Sequence, residues 1–284
     1  MLDTKQIAVL TIATLAIAGL SVQTYKYLTT PSFDPQLAID IDYYSKVSYC
    51  DVDAIQKWNC GDSCNYHSGM TEVQAFNKKT KEAQGYCGYD APNKRIVVAY
   101  RGSSNIQNWI ANFQVIPVKY AECQGCLVHD GFQLTLKEIS DNINACVQNL
   151  AKKYQNAQVF VTGHSLGGAL ATLSALEIAK IVNPSKIVFM NFGSPRVGNQ
   201  QFVEYFNSVI TNKIRVVNFK DIVPHLPLKI MDFKHVNTEV WMLSNGGIND
   251  YKVCLTEEDP NCSDSVKAPT AADHTDYFGF YTGC

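Results

Sequence analysis

Short apolar runs recur along the chain at the spacing of strands. Arg95-Ile-Val-Val-Ala-Tyr100, Gln158-Val-Phe-Val-Thr162, Lys186-Ile-Val-Phe-Met-Asn-Phe192 and Ile214-Arg-Val-Val-Asn-Phe219 carry few polar interruptions. Such runs suit strands covered on both faces. Between them, helical periodicity predicts helices over 131–154, 167–182 and 200–209. Upstream, Leu37, Ile41, Tyr44 and Val47 share one helical face, which predicts a helix over 36–49. Segments 72–77 and 83–89 read as antiparallel edge strands. Strand–helix alternation gives the fold class: α/β, with a mostly parallel central sheet flanked by helices.

The N-terminus breaks this pattern. Residues 6–25 carry no charge and hold a continuous apolar stretch from Ile7 to Val22. Residues 1–24 are expected to be a secretory signal peptide. The alternative is an uncleaved anchor, because ~20 apolar residues can span a bilayer. Residues 25–35, with Pro31 and Pro35, are expected to form a short linker or pro-segment. No repeat or low-complexity tract divides the remainder, so residues 36–284 are expected to form a single domain.

Composition narrows the function. The 24 Lys and Arg against 26 Asp and Glu give a net charge of −2. No basic excess exists to neutralise phosphates, which excludes a nucleic-acid binder. Ten cysteines behind an apolar leader point to an oxidising compartment. The protein is therefore expected outside the cell, or lumenal or surface-tethered if the leader stays attached.

One motif carries chemistry. Gly163-His-Ser165-Leu-Gly167 follows an apolar strand and opens a predicted helix. That is the strand–turn–helix setting of a nucleophile elbow, with glycines where a Cβ would clash. Ser165 is expected to stand exposed above the sheet edge, near a helix N-terminus that favours negative charge. In this arrangement an acid and then a histidine follow the serine along the chain. Asp221 follows directly on a strand run and is the best-placed acid, with Asp232 and Asp250 as alternatives. His225, His235 and His274 remain as bases. His225 lies too near Asp221 to bridge it to Ser165, and His274 is favoured over His235. His274 would serve as general base and then acid, oriented by Asp221.

At this point six segments resemble the filamentous-fungal class 3 lipases, with their feruloyl esterase and mono/diacylglycerol lipase relatives. They are Ala99-Tyr-Arg-Gly-Ser-Ser-Asn-Ile-Gln-Asn-Trp-Ile-Ala111, Val128-His-Asp-Gly-Phe132, Val161-Thr-Gly-His-Ser-Leu-Gly-Gly168, Phe192-Gly-Ser-Pro-Arg-Val-Gly-Asn199, Asp221-Ile-Val-Pro-His-Leu-Pro227 and Asp273-His-Thr-Asp-Tyr-Phe-Gly279. The resemblance covers nearly all of the chain after residue 40. It implies an α/β-hydrolase fold and a triad of Ser165, Asp221 and His274. It also implies an oxyanion hole from the Ser103 backbone N–H and hydroxyl with the Leu166 backbone N–H.

Ten cysteines allow many pairings. The resemblance implies Cys50–Cys284, Cys60–Cys64, Cys254–Cys262 and Cys123–Cys126. Cys87 and Cys146 then pair by elimination. The rival is a zinc site, at Cys60, Cys64 and His67 or at Cys123 and Cys126.

After the Arg101-Gly-Ser103 turn, Ile106, Trp109, Ile110 and Phe113 fall at i, i+3, i+4 and i+7, one apolar face of a short helix. Periodicity alone reads as an ordinary surface helix with its apolar side on the core; its position over the predicted site leads to the expectation of a lid, as in the lipases the chain resembles. The chain is thus expected to be a secreted, monomeric serine hydrolase with no cofactor and no metal. Its expected substrate is a lipid ester at a lipid–water interface, triacylglycerol first. A phospholipase or feruloyl-type esterase is the alternative, and a catalytically silent lipid-binding relative is a third.

Overall fold

In the computed structural model, residues 32–78, 80 and 82–284 are described. The signal-peptide segment 1–24, and most of 25–35, lie outside the described residues. In chain order, helices α1 (Pro35–Val47), α2 (Val52–Gln56) and α3 (Asp62–Asn65) precede strands β1 (Met70–Lys78), β2 (Ala83–Asp90) and β3 (Arg95–Tyr100). Helix α4 (Ile106–Ala111) and the short strands β4 (Pro117–Lys119) and β5 (Leu127–His129) follow. Then come α5 (Asp130–Lys137), α6 (Ser140–Lys153), β6 (Gln158–His164), α7 (Leu166–Ile178), β7 (Ile187–Phe192), α8 (Gln200–Val209) and β8 (Lys213–Asn218). The chain closes with β9 (Glu239–Met242), β10 (Tyr251–Cys254), β11 (Asp276–Tyr277) and β12 (Phe280–Tyr281).

Eight strands form one sheet in the order β1-β2-β3-β6-β7-β8-β9-β10. The centre from β3 to β9 is parallel, and β1, β2 and β10 pair antiparallel at the edges. The central strands are buried along almost their whole length, which is why they read as unbroken apolar runs. Residues Pro35–Cys284 form one compact unit. Among the described residues, no helix is long and apolar enough to cross a membrane.

One predicted element splits. The helix expected over 131–154 is two, α5 and α6, parted at Glu138–Ile139. Glu138 and Ile139 close α5 with tightened bonds to the Thr135 and Leu136 carbonyls, and Ile139 O starts the next helix by accepting from Ile143 N–H. Phe132, Leu136, Ile139 and Ile143 enter one core at the spacing of a single helical face, which is why the pattern reads as one helix, whereas Ile139, Ser140 and Asp141 at the break are weak helix formers.

The parallel register positions the site. Tyr100 pairs with Gly163, His164 with Phe192, and Phe192 with Val216. The carboxyl ends of β3, β6, β7 and β8 therefore share one sheet edge. Ligand sites of parallel α/β sheets form at that edge.

Candidate active site

The elbow after β6 is forced by contact. Ser165 has φ +60°, a left-handed conformation rare outside glycine. A Cβ on Gly167 would lie 2.1 Å from the Tyr100 carbonyl oxygen, so only glycine admits this approach. Ser165 N–H donates to Phe192 O at 2.9 Å, which locks the turn to the neighbouring strand. Leu166, first residue of α7, has no intrahelical acceptor for its N–H.

The Arg101-Gly102-Ser103 turn packs against this elbow. A Cβ on Gly102 would come within 2.9 Å of the Ser165 Cβ. Arg101 anchors the turn by donating to Gln84 Oε1 at 3.0 Å and Glu82 O at 2.8 Å.

Asp221 follows β8 and is fully buried. Its carboxylate accepts from Val223 N–H at 2.8 Å, from the Tyr277 hydroxyl at 2.7 Å and from His274 Nδ1 at 2.8 and 2.9 Å. These donors leave Asp221 the acceptor and place the His274 proton on Nδ1. In the neutral imidazole this leaves Nε2 as the acceptor. It is buried, and has no hydrogen-bond partner among the described residues; the same holds for Ser165 Oγ. Both residues line one cavity of about 80 Å³, with Ser103, Ile106, His164 and Tyr281. A larger cavity of about 270 Å³ opens beside it, walled by Ser103, Trp109, Phe113, His129, Phe132 and Leu166. A base nitrogen, an unpaired hydroxyl and an apolar recess are thus neighbours.

His235 and His129 are held elsewhere. His235 Nε2 faces Pro224 O at 2.7 Å, and burial with nearby Arg215 and Arg196 lowers its pKa well below the usual histidine value. His129 Nε2 faces Gln114 O at 2.7 Å, and burial lowers its pKa.

A family model for class 3 lipases matches residues 97–231, a span that holds Ser103, Ser165 and Asp221. The lipase of Rhizomucor miehei is 34% identical over 253 residues, covering 86% of this chain and 69% of the relative. The chain belongs to the class 3 lipase family. The secreted mono- and diacylglycerol lipase A of Penicillium cyclopium is 32% identical over 206 residues, 72% of this chain and 66% of that one. A solved triacylglycerol lipase, described as having a serine-protease triad as its catalytic centre, matches with a TM-score of 0.81 at 33% identity. That match covers 89% of this chain and 98% of the other. The chain spans 69% and 66% of the two relatives' lengths.

In this class 3 lipase two expectations need correction. Ser165 is not exposed: it is 1% accessible, because Ser103, Ser104, Ile106, Thr275 and Tyr281 enclose the cavity it lines. The apolar segment above it is also shorter than periodicity predicts. Helix α4 ends at Ala111, with Asn112 as its C-cap, so Phe113 lies beyond it. Phe113 still joins the same apolar side, with its ring 4.5 Å from Trp109 and 5.1 Å from His129.

The ten cysteines form Cys50–Cys284, Cys60–Cys64, Cys87–Cys146, Cys123–Cys126 and Cys254–Cys262. No thiolate is left for zinc at Cys60, Cys64 or Cys123, Cys126, and His67 instead meets Asp40 O at 2.9 Å. Four site residues escaped the sequence reading: Tyr49, Asn218, Tyr277 and the ring of His164. Two of them carried a signal: His164 as the residue directly before Ser165, and Tyr277 as the residue three after His274.

Proposed function

We propose that Ser165, His274 and Asp221 form the catalytic triad of a secreted lipase whose substrates are triacylglycerols. His274 Nε2 takes the Ser165 proton as Oγ attacks the ester carbonyl. The oxyanion goes to the Ser103 N–H and hydroxyl and the Leu166 N–H. Each such donor is worth about 3 kcal/mol in the transition state. The imidazolium then protonates the leaving alcohol, and water releases the fatty acid from the acyl-enzyme. Asp221 holds the ring in its Nδ1–H form throughout.

Support comes from one observation above the others. Ser165 Oγ and the bare His274 Nε2 line the same cavity, both without a partner, while Asp221 fixes the far side of the ring. The apolar recess under Trp109 and Phe113 suits an acyl chain, and the Rhizomucor and Penicillium relatives are named as lipases. Helix α4 acts as the lid: Ile106 lines the cavity with Ser165 while Trp109 walls the acyl recess. A lipid surface binds the open form better and shifts the equilibrium toward activity. The relative named as secreted, together with five disulfides, supports an extracellular site of action.

The test is a panel of tributyrin, triolein, phosphatidylcholine and methyl ferulate. Tributyrin and triolein are expected to be the preferred substrates. A higher kcat/KM on phosphatidylcholine or methyl ferulate would move the assignment to the phospholipase or the feruloyl-type esterase. Inertness toward all four would leave the silent lipid-binding relative.

A further inference from the structure

We propose that His164 is a positioning residue for the catalytic base: its Nε2–H holds the backbone carbonyl of His274, and Tyr49 locks it in that form. The proposal takes the Ser165–His274–Asp221 assignment as given and adds what sets the distance between base and nucleophile.

The proton positions follow from the partners. His164 Nε2 lies 2.8 Å from His274 O. A carbonyl oxygen only accepts, so Nε2 carries the hydrogen. His164 is fully buried and its ring stacks on His274, with centroids 4.4 Å apart. Burial first, and then the charge His274 can carry, push its pKa well below the usual histidine value. The ring is therefore neutral, Nδ1 is bare, and the Tyr49 hydroxyl at 2.8 Å donates to it. The other group facing the ring is the Tyr277 phenol, edge-on at 5.4 Å and itself committed to Asp221.

Tyr49 is not free to drift. Gln84 Nε2 donates to the carbonyls on both sides of it, Ser48 O and Cys50 O, each at 2.8 Å. Cys50 is bonded to Cys284. A Cβ on Gly102 would lie 2.1 Å from the Tyr49 oxygen, so glycine at 102 admits the phenol to this place.

The consequence is geometric. His274 sits in a single 3₁₀ turn, Ala272–His274, far along the chain from Ser165. Asn218 Nδ2 donates to the carbonyls of Asp273 at 2.9 Å and Asp276 at 2.7 Å, which ties that turn to β8. His164 supplies the tie to β6, and it is the residue directly before Ser165. Base and nucleophile are thereby fixed to one strand end. Because His164 stays neutral, it does not compete with His274 for the Ser165 proton.

Two measurements test this. In protein with ¹⁵N-labelled histidine, the His164 ring is expected to show a protonated Nε2 and a bare Nδ1, unchanged between pH 5 and 8. On soluble p-nitrophenyl butyrate, His164→Phe keeps an aromatic ring but loses the donor, and kcat is expected to fall roughly 10- to 100-fold with KM nearly unchanged. His164→Gln restores an N–H donor and is expected to recover most of that loss. The proposal is overturned if His164 titrates in that range or carries its proton on Nδ1. It is equally overturned if Phe matches wild type, or if a folded Gln variant is no better than Phe. Fluorophosphonate labelling of wild-type Ser165 reads the triad separately, so failure of the one is distinguishable from failure of the other.

Discussion

In the helix behind Ser165, eleven of thirteen residues are buried, whereas none of the six residues of the helix over its pocket is. Both segments start within a few residues of the contact between Gly102 and Ser165. The elbow is held by strand pairing on both sides of β6 and by backbone-to-backbone contacts that leave no room for a side chain. The bonds that tie α4 to the rest sit at its ends: Ser104 Oγ to Glu82 Oε2 at 3.2 Å, and His129 Nε2 to Gln114 O at 2.7 Å. Local opening is cheapest where buried contacts are fewest. If the proposed triad and lid hold, the chemistry sits on the part with the most buried contacts and access on the part with the fewest.

The largest expected effect comes from breaking the rigid side. Gly167→Val would push a Cβ to 2.1 Å from the Tyr100 carbonyl oxygen, a backbone atom that cannot step aside. Overpacking of this kind costs roughly 3 kcal/mol or more. The variant is expected to be insoluble or to melt far below wild type in calorimetry. A normal melting temperature would show that the elbow is looser than its contacts require.

The lid side should behave in the opposite way. Trp109→Ser with Ile110→Ser removes apolar surface from a helix with no buried residue, so melting should shift little. Wild-type activity on tributyrin is expected to jump once substrate passes its solubility limit. The double variant should flatten that jump by about tenfold or more while sparing a soluble short-chain ester. A smooth saturating curve in the wild type would contradict the lid.

The smallest effect concerns acid. Burial lowers the pKa of His67, His129, His164, His225 and His235 below the usual histidine value. The unfolded chain regains ordinary affinity, so below about pH 6.5 it binds more protons than the folded one, and stability falls as pH drops. Burial raises Asp42 and Glu177, whose contribution has the opposite sign and is lost as pH rises. Five histidines against two carboxyls leave acid as the destabilising direction between about pH 5 and 6.5. Calorimetry should show melting several degrees lower at pH 5 than at pH 7. Helix α4, Ile-Gln-Asn-Trp-Ile-Ala, holds no titratable group, so the double lid variant should show the same pH dependence. A slope changed in that variant would mean that the lid shares the fold's proton balance.

What could be read from the sequence divides along similar lines. Strands β3, β6, β7 and β8 are buried on both faces, and burial on both faces leaves an unbroken apolar signature. Strand β9 hid because it carries Glu239, buried and bonded to Arg215 Nη2 at 2.8 Å, a pairing that no local pattern announces. The meeting of Ser165, Asp221 and His274 in the fold was legible because strand–turn–helix context and chain order constrain them. The cover over Ser165 was not, since it assembles from three stretches of chain around Ser103, Thr275 and Tyr281. Tyr49 and His164 were equally hidden: 115 residues separate them, and only the folded sheet brings the phenol to the imidazole.

Whether Ser165 is the nucleophile of a gated site can be read from active-site labelling. A fluorophosphonate should add once per molecule, on the peptide containing Ser165, and faster when lipid vesicles are present. Ser165→Ala should take no label and melt like wild type, because its Oγ bonds to nothing that holds the fold. An adduct on another residue, or labelling that persists in Ser165→Ala, would show that Ser165 is not the nucleophile.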